Sequence, residues 1–184
     1  MNIFVVNENP VAAARQLCNR HIIKMPLESA QMLCAALHAN GHTDTIYKPT
    51  HKNHPCTKWA GETRNNFIWL VEHGMELCRE YTRRYGKTHK CEAVIESCMA
   101  DVEMIPAGHR TPFIQAMGET YKHTNPIIAY QRYLTFGKLL IGLSLMAHNL
   151  TSRPSVLKSY FRYCHIYLQN CKKTSYSKYL ASRP

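Results

Sequence analysis

Residues 21–33, HIIKMPLESAQML, carry polar side chains at helical spacing inside an apolar run. The polar side chains are His21, Lys24, Glu28 and Gln31, which we call the polar stripe. Their spacings of three, four and three residues place them on one helical face less than about a quarter-turn wide, at about 100° per residue. The run therefore predicts an amphipathic helix with a narrow polar face.

Pro26 leaves the start of this helix open. An interior proline loses a backbone hydrogen bond and usually kinks or starts a helix. If the helix begins near Met25, His21 and Lys24 lie on the approach to the helix rather than on its face. If it begins earlier, the whole polar stripe faces one way.

Helical patterns recur along the rest of the chain. The predicted elements are a helix from Pro10 to about Asn19, a loop at 40–58, a long helix from Trp59 to Tyr85 that Gly86 ends, a helix from His89 to about Val102, and a helix after Pro126. IFVV at 3–6 is β-prone and predicts at most one short N-terminal strand.

Length and composition predict one mainly α, single compact helical domain. The chain has 184 residues, of which 45% are hydrophobic. We divide it into a helical catalytic-like domain at 1–138 and a basic C-terminal helical extension at 139–184.

No stretch reaches the roughly 18 apolar residues of a membrane span. Because MNIFVVNENP does not have the pattern of a secretion signal, we expect a cytoplasmic protein whose eight cysteines are reduced.

The positive charge is concentrated in the last third of the chain. The net charge is +11, with 13 Lys+Arg against 12 Asp+Glu through Glu119, and ten Lys+Arg with no acid from Thr120 onward. Tyrosines are interleaved with these basic residues. Such a segment predicts a polyanionic partner, most commonly nucleic acid, because basic side chains bind phosphates and aromatic rings stack on bases.

Metal and nucleotide motifs are weak or missing. THKNHPC offers His51, His54 and Cys56, and HKC offers His89 and Cys91, but neither spacing matches a structural zinc site. The sequence contains no phosphate-binding GxxxxGK[ST] loop, no GxGxxG turn and no GxSxG motif. We therefore expect no metal and no cofactor.

Within the polar stripe, Glu28 has Lys24 one turn before it. A carboxylate beside a cation serves as an electrostatic stabiliser or a general base, but the same spacing also makes an ordinary i,i+4 ion pair. The residues alone leave both interpretations open.

The order of His21 and then Glu28, seven residues later on a helix close to the N-terminus, resembles the bacteriophage pyrimidine-dimer DNA glycosylases of the endonuclease V type. The segments MNIFVV, HIIKMPLESAQM, KPTHKNHPCTKWAGETRNNFIWLVEHG and EYTRRYGKTHK are also similar to phage proteins of this kind. The resemblance covers about residues 1–136, and beyond Leu139 we find no match to it.

The resemblance implies a DNA repair glycosylase with abasic-site lyase activity that acts on damaged pyrimidines in double-stranded DNA, in the host cytoplasm if the chain is viral. An amine would attack the sugar and form a Schiff base, and Glu28 would take the role of the family's glutamate. The residues expected to bind the substrate are His21, Gln31, Arg64, Arg83 and Lys87.

The identity of the amine stays open. In the family it belongs to a small residue exposed by removal of the initiator methionine, whereas Asn2 is not small. The amine is then that of Met1 or Asn2, or that of Lys24 if its side chain is desolvated. Leu27 stands where the family has an arginine, so a lesion other than a pyrimidine dimer is also open.

Two other classes of function compete with the enzyme. In a non-enzymatic nucleic-acid-binding phage protein, the basic charge and the tyrosines suffice and the polar stripe is structural. A helical metal-binding or interaction protein would act on host partners.

Overall fold

The computed structural model describes residues 1–137 and is mainly helical there. Its α-helices are α1 (Pro10–Arg15), α2 (Asn19–Ala39), α3 (Pro55–Glu62), α4 (Arg64–Tyr85), α5 (Glu92–Ala100) and α6 (Pro126–Arg132). Two short 3-10 helices at Val102–Met104 and Glu119–Tyr121 and a π-helix at Tyr133–Gly137 complete the described secondary structure. The predicted helical extension at 139–184 lies outside the described residues.

The two long helices, α2 and α4, pack against each other and organise the core. α1, α3 and α5 each pack on α4, and α3 and α5 also contact α2. The largest fully buried side chains include Trp59, Phe67 and Leu70 from α3 and α4, and Leu33 from α2. Each long helix buries one apolar face in this core, as an amphipathic surface helix does.

α2 begins before Pro26, which the sequence had left open. The helix begins at Asn19 and continues through Pro26, so the whole polar stripe lies on one helix. Tertiary contacts hold the turns before the proline. Arg84 of α4 donates to the carbonyl oxygen of Leu17 at 3.0 Å, and His89 Nε2 lies 3.1 Å from the carbonyl oxygen of Ile23.

The N-terminal segment at 3–6 does not form the short strand that its composition allowed. Within residues 1–137 there is no strand for it to pair with. Instead the backbone N–H groups of Ile3 and Phe4 donate to the side-chain oxygen of Asn2 at 2.8 and 3.2 Å. The side chains at 3–6 are buried in the helical core.

The long helix predicted from Trp59 to Tyr85 is in fact two helices. Thr63 is extended (φ −142°, ψ 152°) and separates α3 from α4, and its side chain accepts from the N–H of Asn66 as an N-cap. α3 begins at Pro55, inside the predicted loop. The predicted end of α4 is confirmed, because Gly86 adopts the left-handed conformation at φ +66°.

Two further boundaries differ from the sequence-based expectation. α1 ends at Arg15 rather than near Asn19, and α5 covers Glu92–Ala100, a shorter span than predicted. Among the described helices, none combines the length and the apolarity that a membrane crossing requires.

Candidate active site

The first two residues of the chain fold back onto the polar face of α2. The backbone N–H of Asn2 donates to Glu28 Oε2 at 2.9 Å, and the α-amine of Met1 lies 3.8 Å from the same oxygen. The side-chain amide of Asn2 is buried and donates to the carbonyl oxygen of Ala116 at 2.8 Å. The start of the chain is therefore held in place beside the carboxylate.

Met1 is anchored by its side chain but accessible at its backbone. Its side chain is only 3% exposed, and its sulfur lies 4.0 Å from the hydroxyl of Thr57. The residue as a whole is nevertheless half-buried. The accessible part is thus the backbone end, which carries the α-amine.

Glu28 lies between two amines. Its second oxygen, Oε1, is 3.7 Å from Lys24 Nζ one turn earlier, whereas Oε2 makes the α-amine contact. The Glu28 side chain is 14% exposed, whereas that of Lys24 is 73% exposed. The carboxylate is mostly shielded from water, and Lys24 projects into solvent.

Residues 51–54, which we call the histidine loop, lead into α3 and lie near Glu28 and the α-amine. His54 is the N-cap of α3, and its Nδ1 accepts from the backbone N–H of Cys56 at 3.2 Å. Burial lowers the pKa of His54, and the positive charges of the α-amine and of His51 lower it further, while the charge of Glu28 opposes this shift. The charges of the α-amine and of the Glu28 carboxylate therefore both act on the pKa of His54.

Cys56 lies next to this cluster but is not suited to nucleophilic attack. Burial raises the pKa of its thiol to about 12. A thiol in this state stays protonated at neutral pH, and the thiolate is the reactive form. In residues 1–137, no three metal-binding side chains of the His, Cys, Asp or Glu type come together to form a metal site.

The other members of the polar stripe lie on the same face of α2. His21 stacks on the ring of Phe4, with ring centroids 4.4 Å apart, and its Nδ1 is 3.7 Å from the Cys18 sulfur. Gln31 is half-buried, one turn after Glu28. The stripe thus continues along α2 on both sides of the carboxylate.

The three basic residues that were predicted to bind the substrate are not gathered into one cluster. Arg64 begins α4 and pairs with Glu103 at 2.7 Å. Arg83 donates to both oxygens of Glu80, at 2.8 and 2.7 Å, near the end of the same helix. At about 1.5 Å per residue, Arg64 and Arg83 are separated by roughly 28 Å. Lys87 is exposed just beyond α4.

The two ends of α4 therefore differ in whether they contact the start of α2, where the polar stripe begins. The C-terminal end lies against the start of α2 through the contacts of Arg84 and His89. Arg83 and Lys87 belong to this end of the molecule, whereas Arg64 lies at the opposite end of α4.

The position of the histidine loop near Glu28 was not expected from the sequence. His51 and His54 were candidates only for zinc binding, because nothing local connects residues 51–54 to Glu28. Two features of the sequence pointed to this region. The unusual length of the loop is typical of functional loops. The His54-Pro55 pair indicates the start of α3, because proline is favoured at the first position of a helix.

Comparison with known proteins gives one match. A family model described as pyrimidine dimer DNA glycosylase matches residues 1–93, which is half of the chain. No curated protein and no solved structure matches the chain. The matched region contains the α-amine, Lys24, Glu28 and the histidine loop.

Proposed function

The chain belongs to the pyrimidine dimer DNA glycosylase family, and from this membership we propose that it removes damaged pyrimidines from double-stranded DNA and then cleaves the strand as an abasic-site lyase. Membership by itself implies a DNA repair glycosylase with DNA as its substrate. The lyase step, the Schiff base and the damaged duplex are our proposal.

The amine in this proposal is the first nitrogen of the chain. The observation that carries it is the 3.8 Å separation between the Met1 α-amine and Glu28 Oε2 in a mostly shielded site. An α-amine loses its proton more readily than a lysine side chain and is the better nucleophile near neutral pH.

The two other candidate amines fit less well. Lys24 is 73% exposed and lacks the burial that the desolvated-lysine alternative requires. Asn2 would carry the α-amine only after loss of Met1. In that case its nitrogen is already 2.9 Å from Glu28 Oε2, so the chain's first nitrogen faces the same carboxylate.

We propose the following reaction at these positions. The amine nitrogen attacks C1′ of the damaged nucleotide, a nitrogen–carbon bond forms, and the bond from C1′ to the base breaks as the base takes the electron pair. Glu28 accepts the proton that the amine loses and delivers it to the ring oxygen as the sugar opens to the Schiff base. Glu28, which is then a carboxylate again, takes a proton from C2′, the bond from C3′ to its phosphate oxygen breaks, and the 3′ phosphate leaves with the electron pair.

Glu28→Gln tests this proposal. A glutamine keeps the hydrogen bond to the Asn2 N–H but cannot take a proton. We expect base release and strand cleavage on a duplex with a cyclobutane pyrimidine dimer to fall by at least about 100-fold, as loss of a general acid–base group does. Binding measured by fluorescence anisotropy should remain and should weaken with salt.

The matched control is Glu72→Gln, because Glu72 is an exposed carboxylate on α4. It should leave both rates unchanged. Full activity in Glu28→Gln would contradict the proposed role of the carboxylate. Binding without base release by the unmodified protein, on dimer-containing and abasic duplexes alike, would favour the non-enzymatic DNA-binding alternative.

A further inference from the structure

Two large aliphatic side chains project into solvent on α2, the helix that carries Glu28. Ile23 is 51% exposed and Leu27 is 39% exposed, one turn apart on α2. At about 100° per residue they point within about 40° of each other. Around α2, Leu27 points about 100° and Ile23 about 140° away from Glu28. Lys24, whose Nζ lies 3.7 Å from Glu28 Oε1, stands between Leu27 and Glu28 on the helix surface, so the apolar pair adjoins the polar stripe through Lys24.

Cations flank the apolar pair on the same helix. Arg20 is exposed one turn before Lys24, and Lys24 is exposed between Ile23 and Leu27 in sequence. Basic side chains here suit a polyanionic surface, because they can contact phosphates. An aliphatic side chain cannot form a favourable contact with a phosphate, but it can pack against the face of a base in place of the neighbouring base.

The apolar pair stands on a braced part of α2. His89 Nε2 lies 3.1 Å from the carbonyl oxygen of Ile23, and Arg84 donates to Asn19 Oδ1 at 3.0 Å and to the Leu17 carbonyl oxygen at 3.0 Å. These contacts join the end of α4 and the residues after it to the start of α2. A side chain that separates stacked bases must be held firmly, and these contacts supply that support.

An enzyme that attacks C1′ of a stacked nucleotide must first distort or unstack the duplex. Proteins that unstack DNA commonly insert aliphatic or aromatic side chains between base pairs while basic residues hold the backbone. We propose that Ile23 and Leu27 form an apolar wedge that enters the base stack of a damaged duplex and opens the damaged nucleotide to the α-amine and Glu28. This proposal rests on the proposed function.

The variant Ile23→Ala/Leu27→Ala removes the wedge. Cleavage is compared on two substrates at saturating enzyme: an abasic site in a duplex and the same abasic site in a single strand. We expect the duplex rate to fall by at least about tenfold, because part of the unstacking cost is no longer offset. The single-strand rate should stay unchanged, since no stack has to be opened.

A second readout does not depend on turnover. 2-Aminopurine next to the abasic site becomes brighter when it unstacks. In a Glu28→Gln background, binding should raise this fluorescence, and adding the two alanines should remove most of the increase. The control Met104→Ala, a similarly exposed apolar residue outside α2, should leave the increase intact.

The outcomes separate the two proposals. An unchanged fluorescence increase in the double-alanine variant, or equal slowing on duplex and single strand, would overturn the wedge. Full activity of Glu28→Gln would overturn the proposed chemistry, whereas the fluorescence result would still decide the wedge.

Discussion

At the scale of single residues, His73 makes the folded state sensitive to acid. It is buried on α4 and stacks on Trp69, with ring centroids 5.0 Å apart, and within residues 1–137 neither of its ring nitrogens has a hydrogen-bond partner. Burial lowers the pKa of His73 to about 3. The folded protein therefore holds this ring neutral at a pH where the unfolded chain would protonate it.

This shift predicts a loss of stability on acidification. Below about pH 6.5 the unfolded state binds a proton that the folded state does not, so the free energy of unfolding falls by up to about 1.4 kcal/mol per pH unit from this residue. His73→Phe keeps the ring stack and removes the titration. Between pH 7.0 and pH 5.5, urea unfolding should show a loss of stability that is smaller for this variant by about 1.2 kcal/mol.

The control for this prediction is His109→Phe, because His109 is exposed. It should keep the pH dependence of the unmodified protein. An identical loss of stability in His73→Phe and the unmodified protein would show that His73 is already protonated, or solvated, in the folded state.

Part of the candidate site was predictable at this scale. The spacing of Lys24 and Glu28 defines their contact, because residues four apart on a helix are neighbours. The proximity of His54 was not predictable, since it depends on where the start of the chain and the start of α3 meet in space. The periodicity of the sequence predicts local elements and does not predict such long-range contacts.

At the scale of elements, Gly86 ends α4 in a backbone conformation that favours glycine. Its φ is +66° and its N–H donates to the carbonyl oxygen of Thr82 at 2.8 Å. Gly86→Ala should lower the free energy of unfolding by about 1 kcal/mol, because a Cβ is strained in the left-handed region. A Cβ at this position would point into open space, so packing does not add to this cost.

Gly118→Ala is the matched control. A Cβ at Gly118 would also meet open space, but its φ is −62°, which any residue adopts. Chemical denaturation of the two variants should therefore show a loss for Gly86→Ala and little change for Gly118→Ala. Equal losses would mean that the backbone conformation at Gly86 is not what ends α4.

The helix ends show what local sequence can predict. Gly86 was identified because a glycine after a long apolar periodicity is a strong signal for a C-cap. The break at Thr63 was missed because the apolar periodicity runs on from α3 into α4. That break depends on the Thr63 side chain capping Asn66 and on the packing of 106–111 against it, including the bond from Arg64 N–H to the Pro106 carbonyl oxygen at 2.8 Å.

At the scale of the whole molecule, three distant parts of the chain meet at one point. The α-amine, Glu28 of α2 and the loop before α3 converge, although Glu28 lies 26 positions after Asn2 in the sequence. The mainly helical class was predictable from periodicity. The convergence was not, because it follows from packing α2 against α3, α4 and α5 and from burying the N-terminal segment in the same core.

The distribution of charge also belongs to this scale. Ten Lys+Arg and no acid follow from Thr120 onward, while the candidate active site lies in the nearly neutral part before it. This separation agrees with the proposal that the basic segment supplies general attraction to DNA and the N-terminal part supplies the chemistry.

Borohydride trapping tests the central claim most directly. The protein is incubated with a duplex that contains an abasic site, the Schiff base is reduced, and the adduct is located by mass spectrometry of proteolytic peptides. We expect the adduct on the α-amine of the first residue, unchanged in Lys24→Met and lost when the N-terminus is chemically blocked. An adduct on Lys24, or no adduct with any abasic duplex, would contradict the proposed chemistry.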